Sequence, residues 1–356
     1  MNSIKESNPT QLLPNNIVPL DFTSILTLPD SHAWTTPPSL DPLTSQDDSI
    51  IPVIDLNGPN ALILIKEASE NWGMFQVTNH DIPIHLFHHI EGQTRCLFGL
   101  PSTQKLLAAR SPGGLTGYGR ARISDFFTRE MWYEGFTIMG SPAEHASQLW
   151  PNQDTSFCNV MEACQKEMKG LSERIIGIMF KSLGLNEEDV KFLGLKDGSQ
   201  YPQGALQLNS YPKCPDPDRA MGLAPHTDSS LITVLHQGGV SGLQVFKEGI
   251  GWVSVSPVDD ALVVNIGDLM HIISNGRFKC AQHQAVVNKT RHRISVAYFY
   301  GPPGDVKISP LMQLVDFDHP VLYCPVTWKE YLDAKAIYFD KALDFIKNDK
   351  SICQQQ

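Results

Sequence analysis

Beyond residue 201 the chain breaks into short apolar runs of period two: 205–210, 231–236, 243–246, 252–255, 262–266, 280–287 and 294–300. Turn signals separate them, including Gly238-Gly239, Glu248-Gly249, Asn275-Gly276 and Asn288-Lys-Thr290. Such spacing predicts an antiparallel sandwich or barrel, because parallel units would need helical crossovers between strands. The first half reads differently. Short strands are predicted over 51–56 and 72–78, and helices over 62–71, 84–109 and 156–183. In the last helix Met161, Met168, Leu171, Ile175, Ile178 and Met179 recur at three- and four-residue spacing, a stripe that faces a core. Residues 111–141 are Gly-rich and aromatic and read as loop, and 327–347 return to helical character. No internal repeat interrupts this order.

The resulting organisation is an extended arm over 1–49, rich in Pro, Ser, Thr and Asp and not a packed element, and a helix-rich region over 50–200. A β core over 201–305 and a helical segment over 306–356 follow. The fold class is mainly β with flanking helices. Composition narrows the partners. A formal net charge of −10 without any basic run argues against nucleic acid, which needs clustered Lys and Arg. Seven cysteines, odd in number and without a C-x-x-C pair, indicate neither a zinc ribbon nor a disulfide framework, and imply a reducing compartment. Residues 1–14 lack the apolar stretch of a secretory signal, and no run approaches the roughly 20 apolar residues that span a bilayer. A cytoplasmic monomer acting on a small molecule, away from membranes, is expected.

The chemistry concentrates in the β half. Pro225-His226-Thr227-Asp228 opens an apolar run, and side chains at i and i+2 of an extended segment share a face. His226 and Asp228 can therefore converge on one ion, with His283 from the 280–287 run as third ligand. Two imidazoles and a carboxylate form the facial triad of non-haem Fe(II) oxygenases, which leaves positions open for co-substrate and O2. Ten residues beyond His283, Arg293-Ile-Ser295 places a guanidinium fork and a hydroxyl on one face, a grip for a carboxylate. Gln207, Asn209 and Tyr211 alternate onto one face of another strand; Tyr211 could complete that grip and Asn209 could bond the co-substrate. His236, His271, His292 and the His88-His89 pair lack a partner ligand at useful spacing and read as structural. Cys280, three residues from His283 along a strand, faces the other way.

The order Asn209-Ser-Tyr-Pro-Lys-Cys214, His226-Thr-Asp228, Ser274-Asn-Gly276, His283 and Arg293-Ile-Ser295 resembles the plant 2-oxoglutarate-dependent dioxygenases over about residues 49–345. The resemblance implies a double-stranded β-helix (jelly-roll) core wrapped by N- and C-terminal helices. It also implies Fe(II) on His226, Asp228 and His283, and 2-oxoglutarate on Asn209, Tyr211, Arg293 and Ser295. O2 is then the second co-substrate and ascorbate a supporting reductant. Within that group three segments resemble the gibberellin 3-oxidases: Gly117-Tyr-Gly-Arg-Ala-Arg-Ile-Ser-Asp-Phe-Phe127 with Met131-Trp-Tyr-Glu-Gly-Phe-Thr137, Asp30-Ser-His-Ala-Trp-Thr-Thr-Pro37, and His292-Arg-Ile-Ser-Val-Ala-Tyr-Phe-Tyr-Gly-Pro-Pro303. The implied reaction is 3β-hydroxylation of a C19 gibberellin, with succinate and CO2 as co-products.

Tyr133 departs from that group's Met-Trp-Ser-Glu-Gly-Phe pattern, and Gln284 stands where Arg is usual after the distal His; the first leaves 2β-hydroxylation open. A flavonoid oxygenase and a non-catalytic jelly-roll that retains a structural metal are the other readings. A gibberellin-like acid needs apolar walls and a cation. Tyr118, Phe127, Trp132 and Phe136 are the expected walls, Arg120 or Arg122 the cation, and Gln207 and Phe299 the further lining.

Overall fold

The computed structural model describes residues 20–22, 24–35, 51–150, 155–194 and 204–348. Two facing sheets form its centre. The larger contains β1 (Val53–Asp55), β2 (Met74–Thr78), β3 (Gly117–Gly119), β4 (Glu134–Ile138) and β5 (Gly204–Tyr211). The smaller begins with β6 (Leu223–His226); β7 (Ile232–His236) returns to the larger, and β8 (Leu243–Lys247) and β9 (Gly251–Ser254) belong to the smaller. Then come β10 (Leu262–Ile266), β11 (His283–Ala285) and β12 (Arg293–Tyr300). The larger sheet runs β1-β2-β10-β7-β12-β5-β4-β3 and the smaller β6-β11-β8-β9. Every pair is antiparallel except β1 with β2. From β5 to β12 the chain passes back and forth between the sheets, with β8 and β9 paired in the smaller, in the manner of a jelly roll, and the sheets stay open at their edges.

Register sorts the larger sheet into two faces. Directly opposed residues share a face, so Leu206 and Leu208 of β5 lie with Tyr298 and Val296 of β12 and with Phe136 and Ile138 of β4. That face joins one large core with the helices Ala61–Asn71, Ile84–Phe98 and Thr155–Ser182. The long helix buries Met161, Met168, Leu171, Ile175 and Met179, as the periodicity predicts, while Ile178 sits at the flank of the stripe and is only partly covered. The opposite face carries Gln207, Asn209 and Tyr211 with Ala297, Ser295 and Arg293. It looks toward the smaller sheet across a second core built by Met74, Leu235, Leu243, Val245, Val253 and Val263.

Four sequence expectations change. The segment 111–141 contains β3 and β4, which extend the larger sheet by two strands. The 84–109 helix divides into Ile84–Phe98, Ser102–Lys105 and a 3-10 turn, Leu106–Ala108, because Pro101 ends the first segment's continuity. The arm is packed where it is described. Trp34 is buried, its Nε1 donates to Glu130 O (3.0 Å), and the Ser31 carbonyl accepts from Glu130 N (2.8 Å). Residues 1–19, 23 and 36–49 of that arm lie outside the described residues. Cys96, Cys158, Cys164, Cys214 and Cys280 are free thiols, but Cys324 is disulfide-bonded, unlike the reduced state expected throughout. No helix among the described residues is long and apolar enough to cross a membrane.

Candidate metal centre and carboxylate clamp

His226 ends β6 and stands directly opposite His283 of β11, which places both imidazoles on the inner side of the smaller sheet. Asp228 does not share their strands: it lies in the β6–β7 connection and reaches the pair from there, not by the i, i+2 alternation expected from sequence. The three donor atoms lie within 4.8 Å of one another, and Nε2 of each histidine is 3.8 Å from Asp228 Oδ1. Each ring is oriented from behind. Nδ1–H of His226 donates to Ala224 O (2.8 Å) and Nδ1–H of His283 to Ala281 O (3.0 Å). A proton on Nδ1 leaves the Nε2 lone pair aimed at Asp228, the tautomer a metal requires.

The charge state agrees. Burial, reinforced by the neighbouring His283, pushes the His226 pKa down to about 3, so the ring is neutral. Burial raises the Asp228 carboxyl, but His283 and His226 beside it, with hydrogen bonds from Thr233 and Asn265, bring it below the ordinary value. Two imidazoles and one carboxylate, buried or nearly so, suit a divalent ion such as Fe(II) and leave its remaining positions facing the space between the sheets.

Sequence reasoning missed the parts that hold this loop. Asn265 of β10 donates to Asp228 Oδ2 (3.3 Å), and the backbone N–H of Asp268 donates to Asp228 O (2.7 Å). Buried Asp268 in turn accepts from Tyr331 Oη (2.8 Å), from Thr227 Oγ1 (3.1 Å) and from Lys335 Nζ. Lys335 also donates to Thr227 O (2.7 Å). The helix Trp328–Tyr338 thus ties down the residue between two of the candidate ligands. Nothing local in the sequence links 227 to 335; only the fold does.

Beside the ligands, Arg293 is 1% exposed yet faces no carboxylate among the described residues. Its Nε donates to Val240 O (3.2 Å) and Nη1 to Ser295 Oγ (3.4 Å), its guanidinium carbon lies 5.0 Å from the Tyr211 ring centroid, and Nη2 has no partner. Burial pulls the guanidinium pKa down, with Tyr211 partly countering. A buried, unneutralised guanidinium is costly, and a bidentate carboxylate is the group that relieves it. The orphaned Nη2, with Ser295 and Tyr211 alongside, fits the far carboxylate of a 2-oxo diacid. Asn209 is held by Tyr133 Oη, which donates to its Oδ1 (2.9 Å), and itself donates to Ser295 Oγ (3.3 Å). Its amide keeps one further N–H for a bound molecule.

The other predicted site residues divide. Gln207 and Phe299 lie on the cavity face and are half-buried. Trp132 is fully buried, donates from Nε1 to Pro212 O (3.1 Å) and meets Phe22 and His32 edge-on, so it backs the cavity wall. Phe127 packs between Trp34 and Phe339 in the same region. Tyr118 and Phe136 are corrections. They oppose each other across β3 and β4 on the helix-side face, and the Tyr118 hydroxyl donates to Glu134 (2.5 Å), which also pairs with Lys105. Arg120 is another, since Asp125 and Glu130 already neutralise it. Arg122 is exposed and has no such partner among the described residues. His236, His271 and His292 are structural as expected, bonded to Glu91, to Phe278 O with Tyr323, and to Ser210.

Tyr133, where the resemblance leads one to expect Ser, spends its hydroxyl on the cavity face. It accepts from Gln207 Nε2 (3.0 Å) while donating to Asn209. The ring has room because residue 135 is glycine: a Cβ there would collide with the Tyr133 hydroxyl and stand 2.8 Å from Gln207 Nε2. Gly135→Ala is therefore expected to cost about 1–3 kcal/mol in the native background. In a Tyr133→Ser background that cost should largely vanish, a coupling of about 1 kcal/mol or more by urea unfolding of the four variants. Additive effects would mean that Tyr133 does not sit over Gly135.

Residues 202–302 match the 2OG-Fe(II) oxygenase superfamily, and residues 51–155 match the N-terminal family described as non-haem dioxygenase in morphine synthesis. Gibberellin 3-beta-dioxygenase 1 of Arabidopsis thaliana is 48% identical over 345 residues, covering 95% of each chain. Gibberellin 3-beta-dioxygenase 1 of Pisum sativum is 49% identical over 332 residues, 92% of this chain and 89% of its own. Among solved structures, JOX2 in complex with 2OG, Fe and JA aligns with a TM-score of 0.73 at 32% identity, over 87% of this chain and 89% of that one.

Proposed function

This chain belongs to the 2OG-Fe(II) oxygenase superfamily, and on that premise we propose that it catalyses the 2-oxoglutarate- and O2-dependent 3β-hydroxylation of a C19 gibberellin, yielding succinate and CO2. The observation that carries the reading is the buried Arg293 with its unpartnered Nη2, on the face of the larger sheet that looks toward the smaller sheet bearing His226 and His283. A purely structural metal site has no use for an unneutralised guanidinium.

Fe(II) would be held by His226, Asp228 and His283, and when bound it supplies the oxidative decarboxylation of the keto acid that drives C–H hydroxylation. The chain's own residues do the rest. Arg293, Ser295 and Tyr211 take the far carboxylate of 2-oxoglutarate, and Asn209 fixes the Ser295 hydroxyl and offers its free N–H. Gln207 and Phe299 on the sheet, with Phe127 and Trp132 behind, form the wall against which an apolar ring system lies. Keeping water out of this space confines the oxidation to the positioned C–H bond. The working unit is taken as a monomer in the cytoplasm, with ascorbate maintaining the ferrous state.

Incubation with Fe(II), 2-oxoglutarate and labelled C19 gibberellins or flavanones, followed by mass spectrometry, tests the assignment. A 3β-hydroxylated gibberellin with one succinate per turnover is expected. Hydroxylation at the 2β position would shift the regiochemistry toward the reading that Tyr133 allows. Flavanone oxidation alone, or no substrate-dependent succinate at all, would overturn the proposal.

A further inference from the structure

We propose that Arg110, at the far end of a hydrogen-bonded chain from Arg293, receives the carboxylate of the substrate; the proposal rests on the gibberellin reading above. The chain runs across the cavity face in one direction. Arg110 Nη2 donates to Thr137 Oγ1 (3.0 Å), Thr137 to Gln207 Oε1 (2.5 Å), and Gln207 Nε2 to Tyr133 Oη (3.0 Å). Tyr133 then donates to Asn209 Oδ1 (2.9 Å), Asn209 to Ser295 Oγ (3.3 Å), and Ser295 also accepts from Arg293 Nη1. The sequence of donors crosses from β3's edge through β4 and β5 to β12. Three inter-strand steps of about 4.8 Å separate its ends by about 14 Å, room for a diacid at one end and a fused-ring acid toward the other.

Arg110 resembles Arg293 in what it lacks. Its guanidinium has no carboxylate partner among the described residues, Nη1 reaches only Arg120 O (3.4 Å), and Nε is buried without any partner. Gly119 makes the seat: a Cβ added there would stand 4.0 Å from the Arg110 guanidinium carbon, so a larger side chain would fill the space over the fork. Burial lowers the pKa of the Arg110 guanidinium, and Arg110 in turn stands close enough to Arg122 to disfavour that residue's charge. Two nearby guanidiniums and an orphaned buried N–H attract an anion, and the established co-substrate already has its own at Arg293. Arg120, neutralised by Asp125 and Glu130, cannot serve. A monocarboxylic ring acid matches the vacancy in charge.

The test compares binding of a C19 gibberellin acid and its methyl ester to the iron-free full-length enzyme with 2-oxoglutarate present, for wild type, Arg110→Met and Arg110→Lys. Wild type should prefer the acid. Arg110→Met should weaken acid binding by at least about ten-fold, the scale of a charge-assisted hydrogen bond, and leave acid and ester nearly equal. Ester and 2-oxoglutarate affinities should stay within about two-fold, and Arg110→Lys, which keeps charge but not the fork, should fall between. Equal acid affinity in wild type and both variants overturns the assignment, as does a parallel loss of acid, ester and 2-oxoglutarate binding in Arg110→Lys. Wild type that binds neither acid nor ester, while still binding 2-oxoglutarate, overturns the gibberellin reading itself.

Discussion

Asp228→Ala is expected to abolish ferrous binding at this site and with it all turnover. Asp228 supplies the only anionic donor within 4.8 Å of His226 and His283 among the described residues; Asn265 donates to its carboxylate and the Asp268 N–H to its main-chain carbonyl. Removing even an outer partner of a ligand typically weakens metal binding 10- to 100-fold, so loss of the charged ligand should exceed about 100-fold. Anaerobic titration of Fe(II) with 2-oxoglutarate present reads this directly, through the weak metal-to-ligand charge-transfer absorption of the chelated keto acid. The band should appear in wild type and be missing from Asp228→Ala at any practical iron concentration. Asp228→Asn keeps a polar group of the same shape but not its charge, and should lose the band too. Wild-type absorbance in Asp228→Ala would mean that iron, if bound, is bound elsewhere.

The triad was legible because two of its members announce themselves within three residues and the third lies on a run whose alternation is plain. The manner of their meeting was not. Asp228 arrives from a connection, and its direction depends on Asp268, Tyr331 and Lys335, which no local pattern joins to it. That Arg293 and Ser295 share a face was readable from period two, since β12 keeps its register across the whole of 293–300, but their role as a carboxylate grip rested on the family resemblance.

The segment 111–141 failed for a physical reason. Glycine lowers strand propensity, and β3 and β4 carry Gly117, Gly119 and Gly135. At two of these a side chain cannot fit: at Gly117, with φ +103°, a Cβ would stand 2.6 Å from Ala108 O, and at Gly135 it would strike Tyr133. The same missing register misplaced Tyr118 and Phe136. Alternation says which residues share a face, not which face looks inward; only pairing of Phe136 with Leu208 turns both toward the helices. Arg110 escaped notice because it lies just outside that segment, and its value depends on a hydrogen-bonded chain that crosses four strands.

Arg293→Met is expected to separate stability from function. In the absence of ligand the wild-type guanidinium is buried without a counter-charge, so an apolar chain of similar length should leave the fold as stable or more so. Binding should suffer badly. Breaking a buried charge pair costs about 3–5 kcal/mol, which for 2-oxoglutarate corresponds to more than about 100-fold in Kd. Ligand-induced stabilisation makes the contrast visible in one measurement. At 100 times its Kd the co-substrate should stabilise wild type by about 2.7 kcal/mol, raising Tm, and the same concentration should scarcely move Arg293→Met. Arg293→Lys keeps a charge but not the planar fork and should recover only part of the shift. A ligand-free Tm well below wild type would show that the guanidinium is satisfied within the protein. A full 2-oxoglutarate-dependent shift in Arg293→Met would place the diacid's far carboxylate on some other cation.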